Sequence, residues 1–261
     1  RSRGLGDVYK RQAQRIRRNE QRLGFNIPWT VLFQMDDLQC LDHLFEYDSA
    51  ITEGEQLGIY TWGLLSRTDP MALLPLIEHH PDSAFFLFCR PEDVTSALLD
   101  EIIPIKHLML VVRWEDGTDE VCAMLRDAQL PYSVYVPYDQ NDLQSITSGE
   151  LFADTQQLYP LFTILTAKPD CPTKVQDLVY QAVVKARNGQ SYQTIPWELY
   201  HDIRSLDEII SDDACCVLFD GHGQLIALDH PDCMPFGSLF EDGITPLIRQ
   251  AYPKSVPIVS R

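Results

Sequence analysis

Asp36, Cys40 and His43 stand at short intervals after the first long apolar run of the chain, within Asp36-Asp37-Leu38-Gln39-Cys40-Leu41-Asp42-His43. A carboxylate, a thiolate and an imidazole form a mixed hard and soft donor set, which suits a divalent ion when one loop gathers them. An ordinary loop with one leftover cysteine is the plainer reading, since composition alone makes such trios common. A second group lies towards the C-terminus: Cys215, Cys216 and Cys233, with Cys171 upstream. Thiolates there would serve a zinc or iron–sulfur site. If Cys215-Cys216 lies in a strand, its two side chains point to opposite faces and rarely ligate one metal together. Buried, inert thiols are the alternative. His79-His80 ends a helical segment, where imidazoles more often serve the helix dipole than a metal. Asp229-His230 and Asp232-Cys233 crowd metal-capable groups into a polar loop, which collects such residues for solubility. No serine–histidine–aspartate order, phosphate loop or dinucleotide glycine pattern is present.

The elements that must position these groups follow one rhythm. Apolar runs at Ile59–Leu65, Ala84–Cys89, His107–Val112, Tyr132–Tyr138 and Leu161–Ala167 start 23 to 29 residues apart, and Pro28–Met35 precedes them. Amphipathic stretches separate them, as parallel βα units require, because a parallel pair needs a crossover long enough for a helix. Helices are predicted over Tyr47–Gln56, closed by Leu57-Gly58, over Pro70–His80 and over Pro91–Ile103. Further helices are predicted from Gly117 to Ala128, from Asn141 to Leu158 and from Pro172 to Asn188. Gly189–Asp213 reads as irregular. Ala214–Phe219 and Gln224–Leu228, joined through Asp220-Gly221-His222-Gly223, read as a hairpin, and Ile244–Ala251 as a last helix. A domain boundary is placed near residue 190.

The formal charge of −17 repels phosphate backbones, which argues against nucleic acid and anionic membranes as partners. The basic stretch Arg15, Arg17, Arg18, Arg22 reads as a solvated helix face. Seven scattered cysteines, an odd number without a disulfide-scaffold spacing, suggest a reducing compartment and so the cytoplasm. Ser2 to Gln12 (SRGLGDVYKRQ) looks like an in-frame translation of a sequencing-library adapter, so residues 1–12 are set aside from fold reasoning and a native N-terminus is expected upstream. Removing its net charge of +3 takes the remainder from −17 to −20.

Pro28–His43 with Glu53–Gly58 resembles the start of a radical S-adenosylmethionine (radical SAM) enzyme, whose first strand is followed by C-x3-C-x2-C. There three thiolates hold a [4Fe–4S] cluster, and at the matching positions this chain has Asp36, Cys40 and His43. The likeness continues through "EGEQLGIY" (Glu53–Tyr60), "PLIEHHPDSAFFLFCRPEDVTSALLDEI" (Pro75–Ile102) and "LPYSVYVPYDQNDLQSITSGELF" (Leu130–Phe152), the last with Asn141, Thr147 and Ser148 in familiar places. The cofactor motifs differ. The family's Gly-Gly-Glu-Pro becomes Gly63-Leu64-Leu65-Ser66, and its Thr-Asn-Gly becomes Cys89-Arg90-Pro91. The basic pair after Thr118-Asp119 becomes Glu120-Val121. "DDACCVLFDGHGQLIALDHPDCMPFGSLFEDGITPLI" (Asp212–Ile248) is similar to the C-terminal extension that binds auxiliary clusters in peptide-modifying members. Its expected cysteine would fall near Leu228.

The resemblance implies an α/β fold: a partial (β/α)6 barrel of parallel strands, open on one side, with a small C-terminal β-hairpin and loop appendage. Residues 13–190 would form the barrel and 191–261 the extension. The function it implies is a degenerate radical-SAM-like protein without a competent [4Fe–4S] site. Such a protein would bind a protein or peptide partner in an accessory role, with no cofactor expected. One alternative is an active radical SAM enzyme with atypical ligands Asp36, Cys40 and His43, which would use [4Fe–4S] and S-adenosylmethionine. Another is a divalent-metal enzyme that reuses the barrel mouth.

Overall fold

The structure is a computed structural model that describes residues 5–35, 38–210, 216–226 and 236–254, with side chains described for 12–35, 40–205, 216–226 and 236–254. Helix α1 (Leu5–Leu23) leads to β1 (Thr30–Met35), and α2 (Leu44–Leu57) to β2 (Thr61–Ser66). Next come α3 (Pro70–His79), β3 (Ala84–Cys89), α4 (Ser96–Ile102), β4 (Leu108–Arg113), α5 (Thr118–Asp127) and β5 (Tyr132–Tyr138). Short helices α6 (Leu143–Ser148) and α7 (Glu150–Thr155) precede β6 (Phe162–Ala167), α8 (Thr173–Asn188), β7 (Ile195–Glu198) and α9 (Leu199–Ile210). The chain closes with β8 (Cys216–Phe219), β9 (Leu225–Ile226), α10 (Leu239–Asp242) and α11 (Ile244–Ala251). Among the described residues the nine strands belong to one sheet in the order β7-β6-β5-β4-β3-β2-β1-β8-β9. The parallel βα units follow the rhythm of the sequence, and the architecture is a partial barrel, as the resemblance implies.

Local sequence explains most of these bounds. Gly58 closes α2 in the left-handed region at φ 109°, and its N–H reaches back to the carbonyls of Glu55 and Gly54. The segment from Asn141 divides into two helices because Gly149 breaks it at φ 86°. Pro91–Asp93 forms a separate 3-10 turn, and α4 begins later, where the Thr95 hydroxyl accepts from the Leu98 N–H. Strand β7 and helix α9 occupy the stretch read as irregular. Ile195–Glu198 is too short to show alternation and contains Pro196, which the outermost strand of a sheet tolerates.

Chain contacts divide the protein into two compact units. One comprises Arg1–Leu64, Pro75–Ala84 and Leu206–Arg261, the other Leu65–Leu74 and Phe85–Ser205. The first unit packs around Phe33 of β1. Its ring meets Tyr47 edge-on at 5.0 Å, stacks on Trp62 at 5.6 Å and lies 5.8 Å from Phe219. The C-terminal hairpin joins this sheet through β8, which runs parallel to β1 with Thr30 opposite Cys216 and Phe33 opposite Phe219. Strand β9 then pairs antiparallel to β8, as the Gly-containing turn implies. Glu53 ties α11 to α2 by accepting from the N–H and hydroxyl of Thr245.

The second unit holds parallel pairs β3–β4, β4–β5, β5–β6 and β6–β7. Its core includes Val136, Tyr138, Ile146, Phe152 and Leu165, against which α8 lays Val175, Val179 and Val183. That four-residue spacing is the apolar face of a helix. Among the described residues no helix is long and apolar enough to cross a membrane.

Candidate functional site

In a parallel α/β sheet, ligands meet the loops at the C-terminal ends of the strands. In the first unit the loop after β1 is a 3-10 turn, Leu38–His43, that feeds directly into α2. Cys40 is buried there, its sulfur 3.9 Å from the Met35 carbonyl. His43 lies flat on Phe240, ring centroids 3.9 Å apart, with Nδ1 3.7 Å from Glu46 Oε2. The turn thus brings Cys40 and His43 into one loop, whereas Asp36 lies outside the described residues. Tyr47, one helical turn on, is fully buried, and that burial pushes its pKa far up, with Cys40 and Asp220 adding to the effect. Its hydroxyl, His43 Nδ1 and Glu46 Oε2 are buried and have no hydrogen-bond partner among the described residues.

As a donor set, this loop supplies one described thiol, and that thiol is turned inwards. A [4Fe–4S] cluster needs three thiolates at its protein-bound irons. The described loop residues do not fit it. Of the tail cysteines, Cys216 is buried within β8, and Cys215 and Cys233 lie outside the described residues. The Asp229–Cys233 loop does so as well.

In the second unit the strand ends carry charge, and Arg90, Arg113 and Lys168 there each face a carboxylate. Arg90, after β3, pairs with Glu92 at 2.6 Å and with Glu115 at 3.2 Å, and Arg113, closing β4, reaches the other oxygen of Glu115 at 3.2 Å. Lys168, after β6, pairs with Asp139, after β5, at 2.7 Å, and holds the Asp139 carboxyl below its ordinary pKa. Hydroxyls at positions carried by the radical SAM resemblance bond to nearby backbone. The Thr118 hydroxyl donates to the Arg113 carbonyl at 2.7 Å and accepts from the Glu115 N–H at 2.9 Å. The hydroxyls of Thr147 and Ser148 donate to carbonyls of their own helix, Leu143 and Ser145. Ser66, ending the Gly63-Leu64-Leu65-Ser66 stretch, is buried, and its oxygen lies 2.7 Å from that of Thr68.

A further network in this unit escaped sequence reasoning. Glu198 ends β7 completely buried and accepts from the Tyr138 hydroxyl at 2.9 Å and from the His201 backbone N–H at 2.6 Å, with His201 Nδ1 at 3.0 Å. The other His201 nitrogen faces Asp177 at 3.3 Å, so two carboxylates, Glu198 foremost, raise the imidazole pKa. Asp202 accepts the Glu198 N–H and both amino groups of Arg187, at 2.7 and 3.0 Å. The only sequence signal was the density of ionisable groups from Glu198 onwards, after Ile195-Pro196-Trp197.

No protein-family model matches the chain, and no curated protein matches it in sequence. Solved structures do match in fold. Streptococcus suis SuiB bound to S-adenosylmethionine superposes with a TM-score of 0.63 at 10% identity, covering 92% of this chain and 72% of that one. SuiB bound to its precursor peptide SuiA gives 0.61 at 8% identity, covering 90% and 67%. A third match, anSMEcpe with bound AdoMet, gives 0.52 at 7% identity, covering 87% and 80%. These neighbours are radical SAM enzymes. At such identities the likeness establishes a common fold: this chain has the fold of radical SAM enzymes.

Proposed function

We propose that the protein is a degenerate radical-SAM-like protein, a binding or accessory module without a competent [4Fe–4S] site. The observation that carries this reading is the loop after β1. Where the family places three thiolates, one described thiol remains, buried beneath the Met35 carbonyl, and His43 is engaged in stacking on Phe240. Imidazole and carboxylate in place of two thiolates bind cluster iron poorly. A second support is independent. The strand-end cations Arg90, Arg113 and Lys168 are already matched by Glu92, Glu115 and Asp139, so these three are poorly placed to grip the carboxylate of a small zwitterionic cofactor.

A peptide is the partner this reading favours, because one neighbour of the same fold, SuiB, has been solved with the precursor peptide SuiA. Accessory action in peptide modification is the corresponding role. Anaerobic reconstitution with iron and sulfide tests the emptied site. Well under one cluster per chain is expected, with no change on Cys40→Ala. About four irons per chain, with absorbance abolished by Cys40→Ala, would instead establish an active enzyme with atypical ligands.

A further inference from the structure

Within the first unit, α2 and the end of α3 bring together three metal-capable side chains that the sequence separates by some thirty positions. Asp48 projects from α2. Its Oδ1 lies 2.5 Å from His79 Nδ1 and 3.1 Å from His80 Nε2, and the three donor atoms all fall within 4.8 Å of one another. Two imidazoles and one carboxylate on a shared point are the donor set of a borderline divalent ion.

The surroundings of His80 carry the argument further. This ring is 3% exposed, and its second nitrogen, Nδ1, faces Glu55 Oε1 at 3.4 Å. That same oxygen accepts from the Ser83 hydroxyl at 2.7 Å, and Ser83 Oγ in turn accepts from the Trp62 indole N–H at 3.1 Å. Asp48 and Glu55 are seven residues apart, two turns along one face of α2, so a single helix supplies both carboxylates. A carboxylate thus stands at each nitrogen of this buried ring, Asp48 at Nε2 and Glu55 at Nδ1, which fixes its orientation. A buried carboxylate–histidine pair whose far nitrogen meets another anionic ligand is how proteins orient a metal-binding imidazole.

We infer that Asp48, His79 and His80 form a divalent transition-metal site of zinc type, oriented by the Glu55–Ser83–Trp62 chain. His80 is the fixed, buried ligand, and Asp48 is half-buried. His79, whose side chain is 65% exposed, closes the site from the solvent side. Water completes the coordination. Donors around a tetrahedral ion with bonds of about 2.0–2.1 Å stand roughly 3.3 Å apart. Hence the His80–Asp48 spacing already suits an ion, and His79 needs to withdraw by less than about 1 Å. The acidic character of the chain, −17 overall, favours a cation on this surface. The site lies on the helical layer and is independent of the loop after β1.

Zinc chloride titrated into the full chain by calorimetry tests the inference, with cobalt(II) as the optical probe. One ion per chain is expected, weakened at least tenfold by His79→Ala and by Asp48→Asn. His79 is exposed, so its variant should keep the wild-type circular dichroism and melting temperature without metal. His80→Ala would open a buried position and is unsuited to the purpose. The cobalt spectrum should lack a thiolate charge-transfer band, which separates this site from the cysteines. No binding, binding indifferent to both substitutions, or a cobalt spectrum dominated by thiolate would each overturn the assignment.

Discussion

Trp62→Ala should lower the unfolding free energy by about 3–5 kcal/mol, the cost of emptying a large buried aromatic site that cannot fully collapse. The indole is completely buried, stacked on Phe33, and close to α2. Helix and indole approach because residue 54 is glycine: a Cβ there would fall inside the van der Waals surface of the ring. Alanine at position 62 would also remove the donor to Ser83 and loosen the chain that runs through Glu55 to His80. Trp62→Phe, which keeps most of the volume and loses only the N–H, should cost about 1 kcal/mol for the hydrogen bond and a further increment for the smaller ring. Chemical denaturation of the two variants measures both. A loss below about 1 kcal/mol for the alanine variant would show that Trp62 does not hold the first unit together.

Glu198→Ala should be comparably severe. Taking one partner from a buried, hydrogen-bonded charge cluster costs about 3–5 kcal/mol, because the groups left behind stay desolvated. Here the Tyr138 hydroxyl and His201 would lose their acceptor. The same pair sets a pH dependence. His201 has a folded pKa above the ordinary 6.5, raised first by its hydrogen bond to Glu198. Its contribution to stability is therefore fully present below about pH 6.5 and is lost as pH rises through the higher folded value. Melting temperatures across that window should fall more steeply for the wild type than for Glu198→Gln. Parallel profiles would contradict the assignment.

Much of the sheet was legible because its strands are buried on both faces and read as apolar runs between turn signals. Ala84–Cys89 and Tyr132–Tyr138 coincide with β3 and β5, and Ile244–Ala251 with α11. Strand β7 was illegible for a physical reason, since four residues with an internal proline carry no periodicity. The partner of β8 was equally hidden. Its hairpin turn fixes β9, but pairing with β1 joins residues nearly two hundred positions apart. The site divided in the same way. Spacing alone placed Cys40 and His43 in one loop. That Cys40 is sealed under the Met35 carbonyl and that His43 stacks on Phe240 depend on tertiary packing. Likewise His79-His80 looked like a helix terminus serving its own dipole. The carboxylate that gives the pair chemistry, Asp48, comes from another helix.

S-adenosylmethionine titrated into the as-isolated protein by calorimetry tests the emptied-site account most directly. Where the family's motif supplies a carboxylate for the cofactor's amino group, this chain has Leu64-Leu65-Ser66, and the Ser66 oxygen is engaged with Thr68. A lost charge-assisted contact in a desolvated pocket costs about 1.5–3 kcal/mol, roughly tenfold to 150-fold in affinity, and absence of the iron anchor adds to it. Binding should be millimolar or weaker. Micromolar affinity, abolished by substitutions at the strand ends, would contradict the account and return the protein to the active enzymes of its fold.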